Sequence, residues 1–160
     1  MTSMPSAIPG IPTVQHRGAG ELPFVTFMPG LDIQLLQADV EAGLWVVRTR
    51  MTPGITLPRH KHTGEVFAVT FAGSWKYLEY PEVLNTAGSY LFEPAGSIHT
   101  LHVPAKDSET MDAWFAIRGA NLNLDHKGDV ESVWDAKFLL DTYLGLCEQA
   151  GHGRPRLIGG

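Results

Sequence analysis

Cysteine is almost missing from this chain: Cys147 is the only one in 160 residues, so no intrachain disulfide can hold the fold together. Long apolar runs are missing as well. No stretch approaches the roughly 20 apolar residues that a membrane-spanning helix needs. The opening segment, Met1 to Pro12, has neither a basic region nor the apolar run of a secretion signal. We therefore expect a cytoplasmic protein with no membrane partner. Runs of Lys or Arg are lacking too. With a net charge of -5 and a pI near 5.7, no basic surface is offered to a polyanion, which excludes nucleic acid as an expected partner. Internal repeats and low-complexity tracts are absent.

What is present is enough apolar material for one domain. At 44% hydrophobic residues, 160 residues can bury a real core and are short for two. Residues 1–22 carry Pro5, Pro9, Pro12, Gly10, Gly18 and Gly20, which disfavour helix and sheet interior alike, so a loosely held arm is expected there. Short runs that alternate or are rich in β-formers follow at residues 24–28, 31–37, 43–51, 65–71, 74–80, 89–92, 99–103 and 111–117. Between them stand Pro53-Gly54, Ala72-Gly73, Ala87-Gly88, Pro94-Ala95-Gly96 and Asp107-Ser108, all good turn formers. Many short strands with regular punctuation predict an all-β, double-sheet architecture of the jelly-roll type over residues 23–131. A single C-terminal helix is predicted over 132–150. Ser132 and Asp135 make a variant capping box, and Val133, Ala136, Leu140, Tyr143 or Leu144, and Cys147 recur at helical spacing up to Gly151. Trp134, Phe138 and Leu139 lie off that stripe, so the helix packs on its own sheet or is covered by a second subunit. A homodimer or homotetramer is expected.

Seven histidines divide into two groups. His16 lies in the Pro/Gly arm, His126 in the polar turn Asp125-His126-Lys127-Gly128 and His152 in the Gly-rich tail, and all three read as solvated. His60 and His62 are different. On a strand their two-residue spacing turns both imidazoles to one face, and even offsets continue that face to Val66, Ala68 and Thr70, which suit an interior. A third imidazole from another strand would complete a metal site. His102, three positions past His99, faces away on a continuous strand. Glu65, at an odd offset from His62, reads as a rim or exterior residue. Glu93, just before the Pro94-Ala95-Gly96 turn, is either a base beside a metal or an ordinary rim charge.

Gly54 followed by His60-Lys61-His62 and Gly73, then Gly88 followed by Glu93-Pro94-Ala95-Gly96 and His99, resembles the paired motifs of the cupin family. That resemblance implies a double-stranded β-barrel with a divalent metal held by His60, His62 and His99. The glutamate that cupins usually place four or five residues after the second histidine is replaced here by Val66 or Phe67, which leaves three neutral imidazoles and open positions for an anionic, chelating substrate. Within the family, the stretches 60–64, 73–80, 93–101 and 114–125 resemble the 2,4'-dihydroxyacetophenone dioxygenases, relatives of the acetylacetone-cleaving dioxygenases. The resemblance implies a non-haem Fe(II) enzyme that cleaves a C–C bond of an aryl hydroxyketone or β-diketone with O2. For the aryl hydroxyketone, 4-hydroxybenzoate and formate are the implied products. Zinc, manganese and nickel also accept imidazole.

An α-hydroxyketone deprotonated to its enediolate offers two oxygens to a metal, and Glu93 is the candidate to take or relay that proton. An aryl substrate needs an apolar slot. Trp75, Tyr77, Tyr90 and Trp114 are the substrate-binding candidates, with Phe67 and Phe71 also available, and Arg118 could neutralise a phenolate or carboxylate. Strand parity separates Trp75 and Tyr77 from Lys76 and Leu78 without saying which pair faces in. Two competing readings are a regulatory cupin that binds metal or ligand without catalysis, and another metal-dependent cupin enzyme such as an isomerase or a quercetinase-like oxygenase.

Overall fold

The computed structural model describes residues 9–106 and 109–160; the first part of the expected arm and the Asp107-Ser108 turn lie outside the described residues. The elements, in chain order, are β1 (Val25–Met28), β2 (Leu31–Asp39), β3 (Leu44–Met51), β4 (His60–His62), β5 (Val66–Ala72), β6 (Lys76–Tyr77), β7 (Tyr90–Glu93), β8 (Ile98–His99), β9 (Leu101–His102), β10 (Met111–Arg118), β11 (Asn121–Leu124), β12 (Val130–Trp134) and α1 (Ala136–Gln149). They form a six-stranded sheet in the order β1-β2-β3-β10-β5-β7, a four-stranded sheet β12-β11-β4-β8 and a two-stranded sheet β6-β9. All strand pairs run antiparallel, as the predicted jelly roll requires.

Alternation decides which side chains meet in the middle. Trp45, Val47 and Met51 of β3, Ala113, Phe115 and Ile117 of β10, and Val66 and Ala68 of β5 all point inward from the large sheet. They pack against Leu57, Leu101 and Val103 from the opposite side. Backbone hydrogen bonds tie the two sides together, among them Leu57 N to the Leu101 carbonyl and Thr63 N to the Ala120 carbonyl. Gly64 sits at the joint between β4 and β5. A Cβ there would stand 2.4 Å from the Arg118 carbonyl oxygen, so only glycine lets the two backbones approach. The arm expected over residues 1–22 is fixed at its end: Leu22 is buried, and the Gln34 side-chain amide donates to the carbonyls of Ala19 and Leu22.

Three expectations need correction. Residues 60–72 do not form one strand: β4 ends at His62 and β5 begins at Val66 in a different sheet, although Val66, Ala68 and Thr70 still face the interior. Asn121–Leu124 and Val130–Trp134 are strands, and no strand was predicted there. The helix begins at Ala136 rather than at residue 132. Its N-cap is Asp135, whose carboxylate accepts from Phe138 N at 2.8 Å, while Ser132 accepts from the Asn123 side chain inside the β11–β12 pair. The buried stripe is Ala136, Leu139, Tyr143 and Cys147, so Leu139 is on it and Val133 is not. This stripe lies on β1 and β2 of its own chain, where the Tyr143 hydroxyl donates to the Pro23 carbonyl at 2.7 Å.

Candidate metal centre

His60 and His62 occupy the two ends of β4 with the exposed Lys61 between them, which puts both imidazoles on the inner face. The antiparallel pairing of β4 with β8 sets His99 directly opposite His60. All three are buried, their ring centroids lie 4.8 to 5.1 Å apart, and one ligating atom from each falls within 4.8 Å of the others. The turn after β7 delivers His99. Ser97 N bonds to the Pro94 carbonyl across a turn whose Gly96 has φ +87°, a conformation that favours glycine, and Gly96 N bonds back to the His62 carbonyl. The Pro/Gly turn thereby locks the second histidine segment onto the first.

Glu93, the last residue of β7, is 3% exposed and points into the same space. Its Oε2 lies 2.9 Å from His62 Nε2 and 3.2 Å from His99 Nε2, while Oε1 accepts a hydrogen bond from the Tyr77 hydroxyl. Burial works to raise the Glu93 carboxyl, but the two imidazoles prevail and hold it at about 2, so it is ionised at neutral pH. Burial, then Tyr77's neighbour Glu93, keeps the phenol well above its usual range and hence a donor. Burial, helped by His62, lowers His60 to about 4. Its Nδ1 faces the Pro58 carbonyl at 2.8 Å, a contact that leaves Nε2 as the free lone pair, the state a metal ligand must have.

The donor set fits a divalent cation. Buried His99 Nε2 and Glu93 Oε2 have no hydrogen-bond partner, a costly arrangement unless something else satisfies them. Two cavities meet at this cluster, and Tyr77 and Glu93 line both. The inner one, about 70 Å³, is walled by Phe115, Ile117, Trp134 and Leu139 and reaches His60 and His62. The outer one, about 230 Å³, is walled by Tyr80, Val83, Leu91 and Pro94 and reaches His99.

The other sequence candidates are dispersed. Tyr77 is at the centre, its ring stacked on His99 with centroids 3.8 Å apart and planes 17° from parallel. Trp75 is wholly buried, packs on Tyr77 and Phe115 and donates to Thr70 Oγ1. Tyr90 is 65% exposed on the outer face of β7, Trp114 is half-buried on β10, and Arg118 is exposed at the end of β10; none of these three lines either cavity. Phe67 and Phe71 lie on the outward parity of β5, Phe67 against Phe92 and Phe71 beneath the Arg48 guanidinium. Glu65 is exposed, and His102 is half-buried with Nδ1 2.8 Å from Thr56 Oγ1.

Sequence reasoning missed Asn121 and Asn123. They stand opposite His62 and His60 on β11, buried, each with an unpartnered Oδ1, and Asn121 lines the inner cavity. The alternation Asn-Leu-Asn-Leu was the available signal.

Known proteins resemble the chain as follows. Residues 15–117 match the family described as the ChrR cupin-like domain. A protein of unknown function with a cupin-like fold from Ralstonia eutropha is 33% identical, with a TM-score of 0.83 over 91% of this chain and 94% of that one. An RmlC-like cupin from the same species is 26% identical, with a TM-score of 0.84 over 92% and 96%. An acetylacetone dioxygenase from Acinetobacter johnsonii is 17% identical, with a TM-score of 0.73 over 88% and 97%. No curated protein matches the chain.

Proposed function

Because the chain belongs to the ChrR cupin-like domain family, whose cupin fold here presents three buried histidines that can hold a metal, we propose that it is a non-haem iron dioxygenase. The reaction is cleavage of the C–C bond between the carbonyl and hydroxymethyl carbons of an aryl hydroxyketone, a 2,4'-dihydroxyacetophenone-like compound, with a β-diketone as the second substrate class. The observation that carries this reading is the meeting of His60, His62 and His99 with an ionised, buried carboxylate at the junction of two cavities. Bound at the three imidazoles, a ferrous ion would acidify a chelating hydroxyketone and give it a route for electrons to dioxygen.

The remaining chemistry belongs to side chains. The Glu93 carboxylate receives the proton that the substrate gives up on becoming an enediolate, and Tyr77 steadies it through Oε1. Asn121 Oδ1, unpartnered beside His62, accepts a hydrogen bond from the substrate's hydroxyl, a donor that the enolate of a β-diketone lacks. Size sorts the two ends of the ligand. An apolar cavity of about 150 Å³ takes a benzene ring, so the 230 Å³ outer cavity suits the aryl group and the 70 Å³ inner one suits only the hydroxymethyl end or dioxygen. The balance is one hydroxyketone plus one O2 giving an aryl carboxylic acid plus formic acid. The two oxygen atoms enter one in each product.

Reconstitution with ferrous iron without air, followed by oxygen uptake on a panel of 2-hydroxyacetophenones and β-diketones, tests the proposal. One O2 consumed per hydroxyketone, with formate released and no uptake by His99→Ala, is the expected result. Iron-loaded protein that consumes no oxygen with any member of the panel would replace it with the regulatory reading.

A further inference from the structure

We propose that Glu93 is itself a ligand of the metal, so that the centre is three histidines plus a carboxylate supplied from β7. The inference rests on the metal-site reading above and concerns which atoms complete that site. Two ligand atoms each about 2.1 Å from one ion are separated by about 3.0 Å at right angles and about 3.4 Å at tetrahedral angles. Glu93 Oε2 lies 2.9 Å from His62 Nε2 and 3.2 Å from His99 Nε2, within or close to that span. Neither contact has hydrogen-bond geometry: Oε2 and His99 Nε2 are both buried without a hydrogen-bond partner. Buried polar atoms this close together with no hydrogen bond between them are an arrangement that a shared cation would satisfy.

Strand register explains how the carboxylate gets there. β5 and β7 pair antiparallel with Val66 opposite Glu93, and both side chains face the interior. Val66 is one of the two positions at which the sequence resemblance called for a carboxylate and found none. The carboxylate sits instead on the neighbouring strand, directly across from it. Tyr77 occupies Oε1, leaving Oε2 as the one oxygen free to ligate. The donors then comprise three neutral rings and one anion, which lowers the net charge of a bound dication to +1 and weakens its pull on a chelating anion.

Zinc alone is the probe, so the test needs no turnover. In the infrared difference spectrum between metal-free and zinc-loaded protein, carboxylate bands shift on ligation, and Glu93→Gln is expected to abolish that signal. Chelator competition should show at least a 30-fold loss of zinc affinity in Glu93→Gln. Adding Val66→Glu to that variant should return most of the lost affinity, because it restores a carboxylate at the facing register position and also answers any doubt about folding. A wild-type infrared signal in Glu93→Gln, affinity within threefold of wild type, or no recovery in the double variant each overturns the proposal. A failed oxygen assay with an intact Glu93 infrared signal sinks the dioxygenase reading alone, and an active enzyme without that signal sinks only the ligation.

Discussion

Asn121 and Asp112 show how differently two buried polar residues are stabilised. Asn121 keeps an acceptor unpartnered in the inner cavity, so its loss should be felt by the substrate more than by the fold. Asn121→Ala is predicted to lower kcat/KM for 2-hydroxyacetophenones about 10- to 100-fold and to leave β-diketones nearly untouched, measured by oxygen uptake on the two series. Asp112 is fully engaged, accepting two 2.8 Å hydrogen bonds from Arg48 and a longer one from Arg50. Burial works to raise its carboxyl, but Arg48 and then Arg50 prevail and hold it below the usual range. A carboxyl depressed in the folded state contributes stability above its unfolded value, and that contribution fades as pH falls through the folded one. Urea titrations of Asp112→Asn should show a deficit of about 1–3 kcal/mol at pH 7 that shrinks at acid pH. His60 and His62 were legible in the sequence as a pair because a two-residue spacing fixes a face whatever the strand's neighbours, and His99 joined them through the resemblance to the paired cupin motifs. Asn121 was not, because its importance depends on a register with His62 that spans almost sixty residues.

Short connections govern the elements around the site. Gly64 separates β4 from β5, and its lack of a Cβ lets the chain pass the Arg118 carbonyl. Gly64→Ala is predicted to cost about 1–3 kcal/mol in chemical denaturation and to weaken zinc binding, since the strain falls two residues from His62. At the far end, Asp135→Ala should cost about 1 kcal/mol by removing the helix cap, with an unchanged denaturant slope. The helix's existence was readable from its apolar spacing, but its start was displaced by one turn. Ser132 and Asp135 fit a capping box by residue type, and β11 takes Ser132 into a sheet instead. Nothing local distinguishes those outcomes, because the pairing energy of β11 with β12 comes from a partner strand.

For the whole molecule, the metal centre lies where β4, β7 and β8 converge, so occupancy couples to global stability. A ligand present at about 1,000 times its dissociation constant stabilises by about 4 kcal/mol, and at 2–4 °C per kcal/mol for a chain of this size zinc should raise the melting temperature by about 8–16 °C. Chelator should reverse the shift, and His99→Ala should show none. The large sheet supplies most of the apolar packing, while the small sheet supplies the histidines, with α1 covering one side. That division lets the ligands be held by a rigid body without contributing much to its core.

The sequence determined the kind of molecule and named the three histidines of its candidate metal centre. Alternation and turn residues indicate the fold class and side-chain parity pairs His60 with His62, both being local properties of a strand, while His99 was added by the resemblance to the paired cupin motifs. Tertiary structure alone decided the rest: that Glu93 enters the cluster, that Asn121 faces it, that Tyr77 rather than Tyr90, Trp114 or Arg118 lies beside it, and that two cavities meet there. Each of these depends on which strands pair and in what register, and that choice is made by long-range burial rather than by neighbours in sequence.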